Sequence, residues 1–172
     1  RHIAASLALA PGERIYGGGE SFTRLDKRGQ RLVLWAYDAY SAQTPRMYKP
    51  VPFLLSSRGY GLFVHTSAPL TLDIGRSYDA ANVVYLGDDV LDLFFFFGTP
   101  QAVLSSYTAL TGRSPLPPLW SFGLWMGRES YRSEREVRGV ARRLREDGIP
   151  CDVIHLDTGW TEKPFHNDFR FS

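Results

Sequence analysis

The sequence is poor in cysteine, in clustered histidine and in long apolar runs. A single cysteine, Cys151, among 172 residues excludes an internal disulfide framework and any site built from several cysteines. The four histidines are scattered without helical pairing, so we predict no metal site. No run approaches the roughly 18 apolar residues that span a bilayer, and we therefore expect no membrane partner.

An excess of one charge and a phosphate-binding glycine loop are also missing. The chain has 20 basic and 18 acidic residues, without the basic and aromatic stripe that binds nucleic acid, so we predict no nucleic-acid partner. The three glycines at 17–19 lie among predicted strands and lack the G-x-G-x-x-G spacing. The apolar opening of the chain lacks a signal-peptide layout, and because the chain begins with Arg1 and not with Met, its true N-terminus is expected to be missing. The compartment stays open, with the cytoplasm slightly favoured.

Up to about residue 98 the pattern is typical of an antiparallel β-sandwich. Short runs rich in Val, Leu, Phe and Tyr alternate with glycine and proline turns about every 8–12 residues. We predict strands at residues 31–37, 51–56, 60–66, 70–74, 82–86 and 90–97. The four phenylalanines at 94–97 should be covered on both faces, because an exposed edge of this kind promotes aggregation.

A helix and a proline-rich linker follow this β-rich part. Thr99 and Pro100 predict the start of the helix, and Gly112 its end. The linker at 114–118 cannot continue a helix, which places a domain boundary between an N-terminal β-sandwich at 1–113 and a second domain at 114–172.

The second domain is predicted to be one βαβ unit. Apolar runs at 121–126 and 151–156 predict two parallel strands. Between them Ser133 and Glu136 form a capping box, in which Ser133 meets the Glu136 amide and Glu136 reaches back to the cap. A complete (β/α)8 barrel takes about 250 residues, and only about 50 follow the linker, so we expect the start of a truncated TIM barrel.

Candidate functional residues lie where the two predicted strands end, since function gathers at the carboxyl ends of parallel strands. Asp157 follows the second strand directly, and small residues and then Trp160 come after it. This arrangement suits hydrogen bonding to sugar hydroxyls beside a stacking ring. The alternative is that Asp157 only caps the following turn, and position alone leaves both interpretations open.

Several colinear stretches resemble glycoside hydrolase family 31. They are residues 15–22 (IYGGGESF), 48–53 (YKPVPF), 58–61 (RGYG), 117–125 (PPLWSFGLW), 149–157 (IPCDVIHLD) and 167–169 (NDF). The resemblance implies a β-sandwich followed by a (β/α)8 barrel with a retaining α-glycosidase site, in which one carboxylate is the nucleophile and a second the acid/base. In the family both carboxylates lie on later strands, so no catalytic residue is assigned to this chain. The chemistry needs no cofactor.

The resemblance also implies substrate contacts. Asp157 matches the aspartate that holds the hydroxyls of the terminal sugar in the −1 subsite, and Asp38 matches an acid of a sandwich loop on the +1 side. Trp160 and Tyr131 are expected to line the pocket.

Two departures from the family pattern concern the sugar. Glu129 stands where the family usually has an aromatic ring, and it is expected to hydrogen-bond the substrate or to pair with Arg128. Two small residues, Thr158 and Gly159, follow Asp157, and they are expected to make the floor of the sugar pocket roomier. The framework resembles the α-xylosidase-like branch slightly more, and α-glucosides and α-galactosides stay open.

The preferred hypothesis is a fragment of a retaining α-glycosidase, inactive alone, whose substrate is an oligosaccharide or glycoside ending in an α-xyloside or α-glucoside. The alternative is a non-catalytic carbohydrate-binding β-sandwich module. Against it, a lone βαβ unit would leave a sheet edge and an apolar helix face uncovered. A plain structural β-domain explains neither the ordered motifs nor Asp157. Whether the full-length enzyme is a homo-oligomer stays open.

Overall fold

The computed structural model describes residues 2–39, 46–163 and 170. The chain divides into two units, Arg1–Arg113 and Ser114–Ser172. The stretch at 167–169, which contributes to the family resemblance, lies outside the described residues. Each unit is described by itself below.

The first unit contains eight described strands. They are β1 (Ile3–Ala8), β2 (Ile15–Gly19), β3 (Gln30–Leu34), β4 (Pro50–Ser56), β5 (Tyr60–Val64), β6 (Leu70–Ile74), β7 (Ala81–Leu86) and β8 (Leu93–Phe97). They form two antiparallel sheets with the orders β1-β7-β6-β3 and β2-β4-β5-β8.

One apolar core joins the two sheets. Leu72 and Val84 from the first sheet are 0% exposed, and they belong to the same buried cluster as Leu54 and Leu62 from the second sheet. Side chains alternate between the two faces of a strand, so each sheet turns one apolar face inward. Burying one such side chain contributes about 1.5–3 kcal/mol. The predicted sandwich architecture is therefore confirmed in the described residues.

The six predicted strands are present, with shifted ends. Strand β6 has the predicted bounds, whereas β3 ends at Leu34 and β8 begins only at Leu93. Strands β1 and β2 were not predicted. Their composition explains the miss, because β1 has three alanines among its six residues and β2 ends in three glycines, and both residue types are poor strand formers.

The glycines of β2 allow the strand to pair with β4 through a bulge. Gly17 and Gly19 have φ of 112° and 97°, and the register against β4 shifts between them. A Cβ at Gly17 would overlap the carbonyl oxygen of Phe53, and one at Gly19 that of Lys49. A bulge with close backbone approach and positive φ is a place where glycine is required.

Helix α1, Pro100–Thr111, covers the second sheet. The Thr99 side chain accepts a hydrogen bond from the Ala102 amide at 3.3 Å, and Gly112 is the C-cap, as predicted. Val103 is 0% exposed, and the Tyr107 ring stacks on Phe53 with centroids 4.2 Å apart. The helix is held by this apolar contact as well as by its caps.

The prediction that the four phenylalanines of β8 are covered on both faces is wrong. Phe96 contacts Tyr107 of α1, with ring centroids 6.1 Å apart. Phe95 and Phe97 point to the other face, where they are 41% and 77% exposed and stack on each other. Strand β8 is the edge of its sheet, and in the described part of the chain nothing covers that side of the edge.

A buried carboxylate fastens the turn after β6. Asp73 is 0% exposed and accepts hydrogen bonds from Arg31 at 2.7 and 2.9 Å, from the Ser77 hydroxyl at 2.8 Å and from the amides of Ser77 and Arg76 at 3.0 and 3.2 Å. Burial alone would raise the pKa of Asp73. The hydrogen bonds from Ser77, Arg31 and Arg76 outweigh it and lower the pKa to about 2.

The second unit is a βαβ unit, as predicted. Strand β9 (Trp125–Arg128) pairs in parallel with β10 (Val153–Leu156), and helix α2 (Glu134–Glu146) connects them. The first strand begins later than predicted, because Leu119–Phe122 form a 3-10 turn. The Ser133 hydroxyl accepts from the Glu136 amide at 3.3 Å, but the Glu136 carboxylate accepts from the Arg132 amide at 2.7 Å and not from the cap itself.

The apolar surface of the second unit is largely uncovered. Helix α2 has no buried residue, and its apolar stripe, represented by Val137 and Leu144, is only half-buried. Leu119 and Phe122 are 88% and 73% exposed. Two strands and one helix are too few to enclose a core. No helix in the described ranges has the length and apolar character needed to cross a membrane.

The bulge in β2 yields a stability prediction. Replacing Gly17 by Ala should destabilise the first unit by about 3 kcal/mol, since the strained φ and the overlap with Phe53 add together. Gly12→Ala is the matched control, because Gly12 has a φ of 71° but open space around its Cβ position, so it should cost only about 1 kcal/mol. Urea unfolding measures both, and equal losses would contradict the role assigned to the overlap.

The buried Asp73 yields a pH prediction. A carboxyl whose pKa falls from 3.8 to about 2 on folding contributes stability above its unfolded pKa, and this is lost as the pH falls through the folded value. The loss between about pH 4 and pH 2 should reach about 2 kcal/mol. In Asp73→Asn, less stable at neutral pH, that part of the acid dependence should disappear. Identical slopes for both proteins in urea unfolding would refute the assignment.

Candidate functional site

The carboxyl ends of β9 and β10 meet at one edge of the second unit. Arg128 and Leu156, the last residues of the two strands, are register partners. Beyond them the Thr158 hydroxyl donates to the Glu129 carbonyl at 3.2 Å, and a Cβ at Gly159 would lie 3.0 Å from the Ser130 hydroxyl. The parallel crossover therefore brings the two predicted segments, 128–131 and 157–160, side by side.

Asp157 presents an open carboxylate at this edge. The residue is exposed, and among the described residues its side chain has no hydrogen-bond or ion-pair partner. The turn after β10 is closed by the backbone instead, from the Trp160 amide to the Asp157 carbonyl at 3.4 Å. Within the described residues, the side chain of Asp157 therefore does not serve as the cap of this turn.

Arg128 is already engaged within the second unit. Its guanidinium donates to the Glu136 carboxylate and lies 5.1 Å from the centroid of the Tyr131 ring. Hydrogen bonds from the Arg132 amide and from Arg128 lower the pKa of Glu136. Of the two expectations for Glu129, pairing with Arg128 is therefore not what the structure shows. Glu129 is exposed, and its side chain has no partner in the described part of the chain.

The two predicted pocket rings differ in exposure. Tyr131 is 4% exposed, and its hydroxyl has no hydrogen-bond partner within the described ranges. Trp160 is half-buried in the turn that follows Asp157. Tyr131 thus lies beneath Arg128, whereas Asp157 and Glu129 form the open part of this edge.

Asp38 lies in the first unit, in the loop that follows β3. It is exposed, and its carboxylate accepts a hydrogen bond from the Tyr48 phenol. This hydrogen bond raises the pKa of Tyr48. The Arg46 guanidinium lies 5.7 Å from the centroid of the Tyr37 ring. Asp38 thus contacts one aromatic side chain, and further aromatic and charged side chains lie near it in the sequence, a combination suited to a polyhydroxylated ligand.

A cavity of about 830 Å³ borders Tyr48 in the first unit. The rings of Phe22 and Tyr48 line it, and both are mostly exposed. Lys27, also in its wall, is buried and donates to the Thr23 hydroxyl and the Arg24 carbonyl, each at 2.8 Å. Burial lowers the pKa of Lys27. Sequence reasoning did not select Phe22 or Tyr48, although the stretches 15–22 and 48–53 that carry the family resemblance contain them.

The described residues offer no metal centre. In the ranges 2–39, 46–163 and 170, no three His, Cys, Asp or Glu side chains come together in a way that could hold an ion.

Two family models match the chain in succession. Residues 1–73 match the glycosyl hydrolase 31 N-terminal galactose mutarotase-like domain, and residues 114–172 match the glycosyl hydrolases family 31 TIM-barrel domain. The second match contains both strand ends described above. The fold is thus a mostly β N-terminal domain followed by the start of a TIM-barrel domain.

Individual relatives agree with these matches. The chain is 36% identical over 162 residues to the α-xylosidase XylQ of Lactiplantibacillus pentosus, covering 92% of this chain and 21% of that protein. It is 38% identical over 152 residues to α-glucosidase 2 of Bacillus thermoamyloliquefaciens, covering 84% and 19%. The structure of the family 31 dextranase of Flavobacterium johnsoniae with glucose superimposes with a TM-score of 0.88 at 30% identity, covering 94% of this chain and 20% of that one.

The chain thus spans about a fifth of the length of the curated relatives it matches. Within that length its motifs, its fold and both matching domain models agree, and the chain belongs to glycoside hydrolase family 31.

Proposed function

We propose that this chain is the substrate-binding front part of a retaining α-glycosidase. The enzyme removes terminal α-linked sugars, α-xylosides or α-glucosides, from oligosaccharides, and its two catalytic carboxylates lie outside these 172 residues. The observation that carries the proposal is the exposed carboxylate of Asp157 at the end of β10, which has no partner among the described residues and lies inside a family 31 barrel domain. The activities named for XylQ and α-glucosidase 2 support the substrate class.

Asp157 holds the terminal sugar in this proposal. A carboxylate accepts two hydroxyl hydrogen bonds at once, and such charge-assisted bonds are about twice as strong as neutral ones. Glycoside hydrolysis passes through an oxocarbenium-like transition state, in which hydrogen bonds to the sugar hydroxyls tighten. Asp157 therefore contributes to the rate as well as to binding.

Asp38 contacts the substrate on its +1 side in this proposal, and Tyr48 holds the Asp38 carboxylate in place. The phenol of Tyr48 donates to one oxygen of the Asp38 carboxylate, which leaves the other lone pairs for a sugar hydroxyl. The adjoining cavity of about 830 Å³ is wide enough for a further sugar ring against Phe22.

The uncovered surface of the second unit supports the place of this chain in a larger enzyme. The exposed apolar residues of the 3-10 turn and the half-buried stripe of α2 are surfaces that further βα units of a barrel would cover. The reading frame beyond the codon for Ser172 tests this directly. Several hundred further codons that supply strand-end aspartates are expected, and a stop codon close to Ser172 would overturn the proposal.

Replacing Asp157 by Ala in the enzyme that contains this chain should lower kcat/KM roughly 100-fold or more, because two charge-assisted hydrogen bonds worth about 1.5–3 kcal/mol each are lost. Asp152→Ala is the matched control, since Asp152 is an exposed carboxylate next to the amino end of the same strand. This control should change kcat/KM less than threefold, which corresponds to a free-energy difference of about half a kcal/mol. A fall below tenfold for Asp157→Ala in hydrolysis of aryl α-xylosides and α-glucosides would leave Asp157 without a substrate role.

Glu129 is proposed as a substrate contact that replaces a stacking ring. With Arg128 engaged by Glu136, the Glu129 carboxylate is left to accept a hydrogen bond from the sugar. Glu129→Ala should lower kcat/KM about tenfold, the effect of one charge-assisted hydrogen bond. Glu146→Ala, which removes the same charge at the end of α2, is the control. It should leave kcat/KM within twofold of wild type, a free-energy difference of about 0.4 kcal/mol. Equal values for wild type and Glu129→Ala on both aryl glycosides would remove Glu129 from the substrate site.

A further inference from the structure

A second concave surface lies on the outer face of the first sheet of the first unit. In β7, Val84 and Leu86 face the shared core, so Val83 and Tyr85 lie on the outer face, where Val83 is 8% and Tyr85 40% exposed. They line an open cavity of about 920 Å³ with Ser6 of β1 and the turn residues Arg76, Tyr78 and Asp79. This surface, here called the β1–β7 groove, contains none of the residues discussed above as substrate contacts.

Two tyrosine rings stand free in the β1–β7 groove. Tyr78 is 66% and Tyr85 40% exposed, and neither makes an aromatic contact or a side-chain hydrogen bond with another described residue. The register partners of Tyr85 are small, Ala4 on β1 and Thr71 on β6, which leaves part of its ring exposed. Flat, uncovered rings of this kind gain from burial against an apolar C–H surface, and their hydroxyls still need a partner.

The polar groups of the groove are mixed and nearly neutral in sum. Ser6 has a free hydroxyl, Arg76 a free guanidinium and Asp79 a free carboxylate, since none of the three side chains has a partner among the described residues. One positive and one negative charge cancel, which disfavours a ligand that carries charge of one sign. Donors and acceptors beside two rings are complementary to a neutral, polyhydroxylated ligand.

The wall of the groove is held in place before any ligand binds. The buried carboxylate of Asp73 accepts hydrogen bonds from the amides of Arg76 and Ser77, and Arg31 and the Ser77 hydroxyl complete its shell. These hydrogen bonds to Asp73 therefore hold the turn that carries Arg76, Tyr78 and Asp79 in one conformation. A preformed surface loses little conformational entropy on binding, which favours a specific ligand site.

We propose that the β1–β7 groove is a second carbohydrate-binding site, which takes a neutral oligosaccharide by stacking sugar rings on Tyr78 and Tyr85. It differs in place from the Asp38 region. Asp38 follows β3, and the groove lies on β1 and β7 toward the opposite edge of the same sheet, with β1 about 14 Å from β3 across three strand spacings. The inference stands independently of the hydrolase activity proposed above.

The test is a calorimetric titration of the 172-residue chain with maltohexaose and with a xyloglucan heptasaccharide. Wild-type chain should bind at least one of them with a Kd of about 0.1–1 mM, a weak affinity suited to a few stacked rings. Tyr78→Ala and Tyr85→Ala should each weaken binding at least fivefold. Tyr85→Phe is the matched control, because it keeps the ring and should weaken binding less than twofold. All three changes lie at exposed positions, and urea unfolding checks that stability is unchanged.

Three outcomes would overturn the second site. They are the absence of binding at 10-fold higher sugar concentration, equal affinities for wild type and Tyr85→Ala, and loss of binding in Asp38→Ala instead, which would assign the sugar to the Asp38 region. Tighter binding of a sulfated oligosaccharide of equal length would contradict the neutral ligand. The two experiments fail separately. A negative titration says nothing about the effect of Asp157→Ala on kcat/KM, and an unchanged kcat/KM in Asp157→Ala says nothing about sugar binding in the β1–β7 groove.

Discussion

The apolar side chains of the strands must be kept from water, and the two units meet this requirement differently. In the first unit the strands are antiparallel and alternate, so that each sheet hides one face and the two faces share a core around Leu72 and Leu54. In the second unit the strands are parallel, and parallel sheets need cover on both faces. One helix gives only part of that cover, and the remaining apolar surface, as at Leu119 and Phe122, is exposed.

The parallel crossover also determines where the chemistry is. Because β9 and β10 run in the same direction and in register, Glu129 and Asp157 emerge next to each other at one edge. The ion pair between Arg128 and Glu136 removes the positive charge that would otherwise neutralise them. Glu136 is well placed for this, since it lies in the first turn of α2, where the helix dipole favours a negative charge. The result is two exposed carboxylates without a partner in the described part of the chain.

Local signals predicted much of the fold, and long-range contacts account for the rest. Strand β6 and the capped starts of both helices were predictable because their signals lie within a few residues, as at Thr99 and Ser133. Strands β1 and β2 were not, since their alanines and glycines become strands only through pairing with β7 and β4. The exposure of Phe95 and Phe97 depends on which strand is the edge of a sheet, and single-sequence patterns do not carry that information.

The same distinction between local signals and long-range contacts applies to the candidate site. Asp157 and Glu129 could be selected because a strand end is visible in sequence, whereas the burial of Tyr131 depends on Arg128 folding over it. The cavity beside Phe22 was signalled only by the resemblance of its stretch to the family. The pair Tyr78 and Tyr85 had no signal, because one residue lies in a turn and the other on a strand, and non-local pairing of β1 with β7 completes the groove.

The ion pair between the buried Asp73 and the half-exposed Arg31 links stability to surface shape in the first unit. An ion pair with a buried partner contributes little to stability, because desolvation of the buried charge offsets most of the attraction, and an apolar pair of similar volume often serves as well. At this position an apolar pair would leave the amides of Arg76 and Ser77 without their acceptor. The carboxylate therefore sets the conformation of one turn. Since that turn carries Tyr78 and Asp79, the same hydrogen bonds that lower the pKa of Asp73 also shape the wall of the β1–β7 groove.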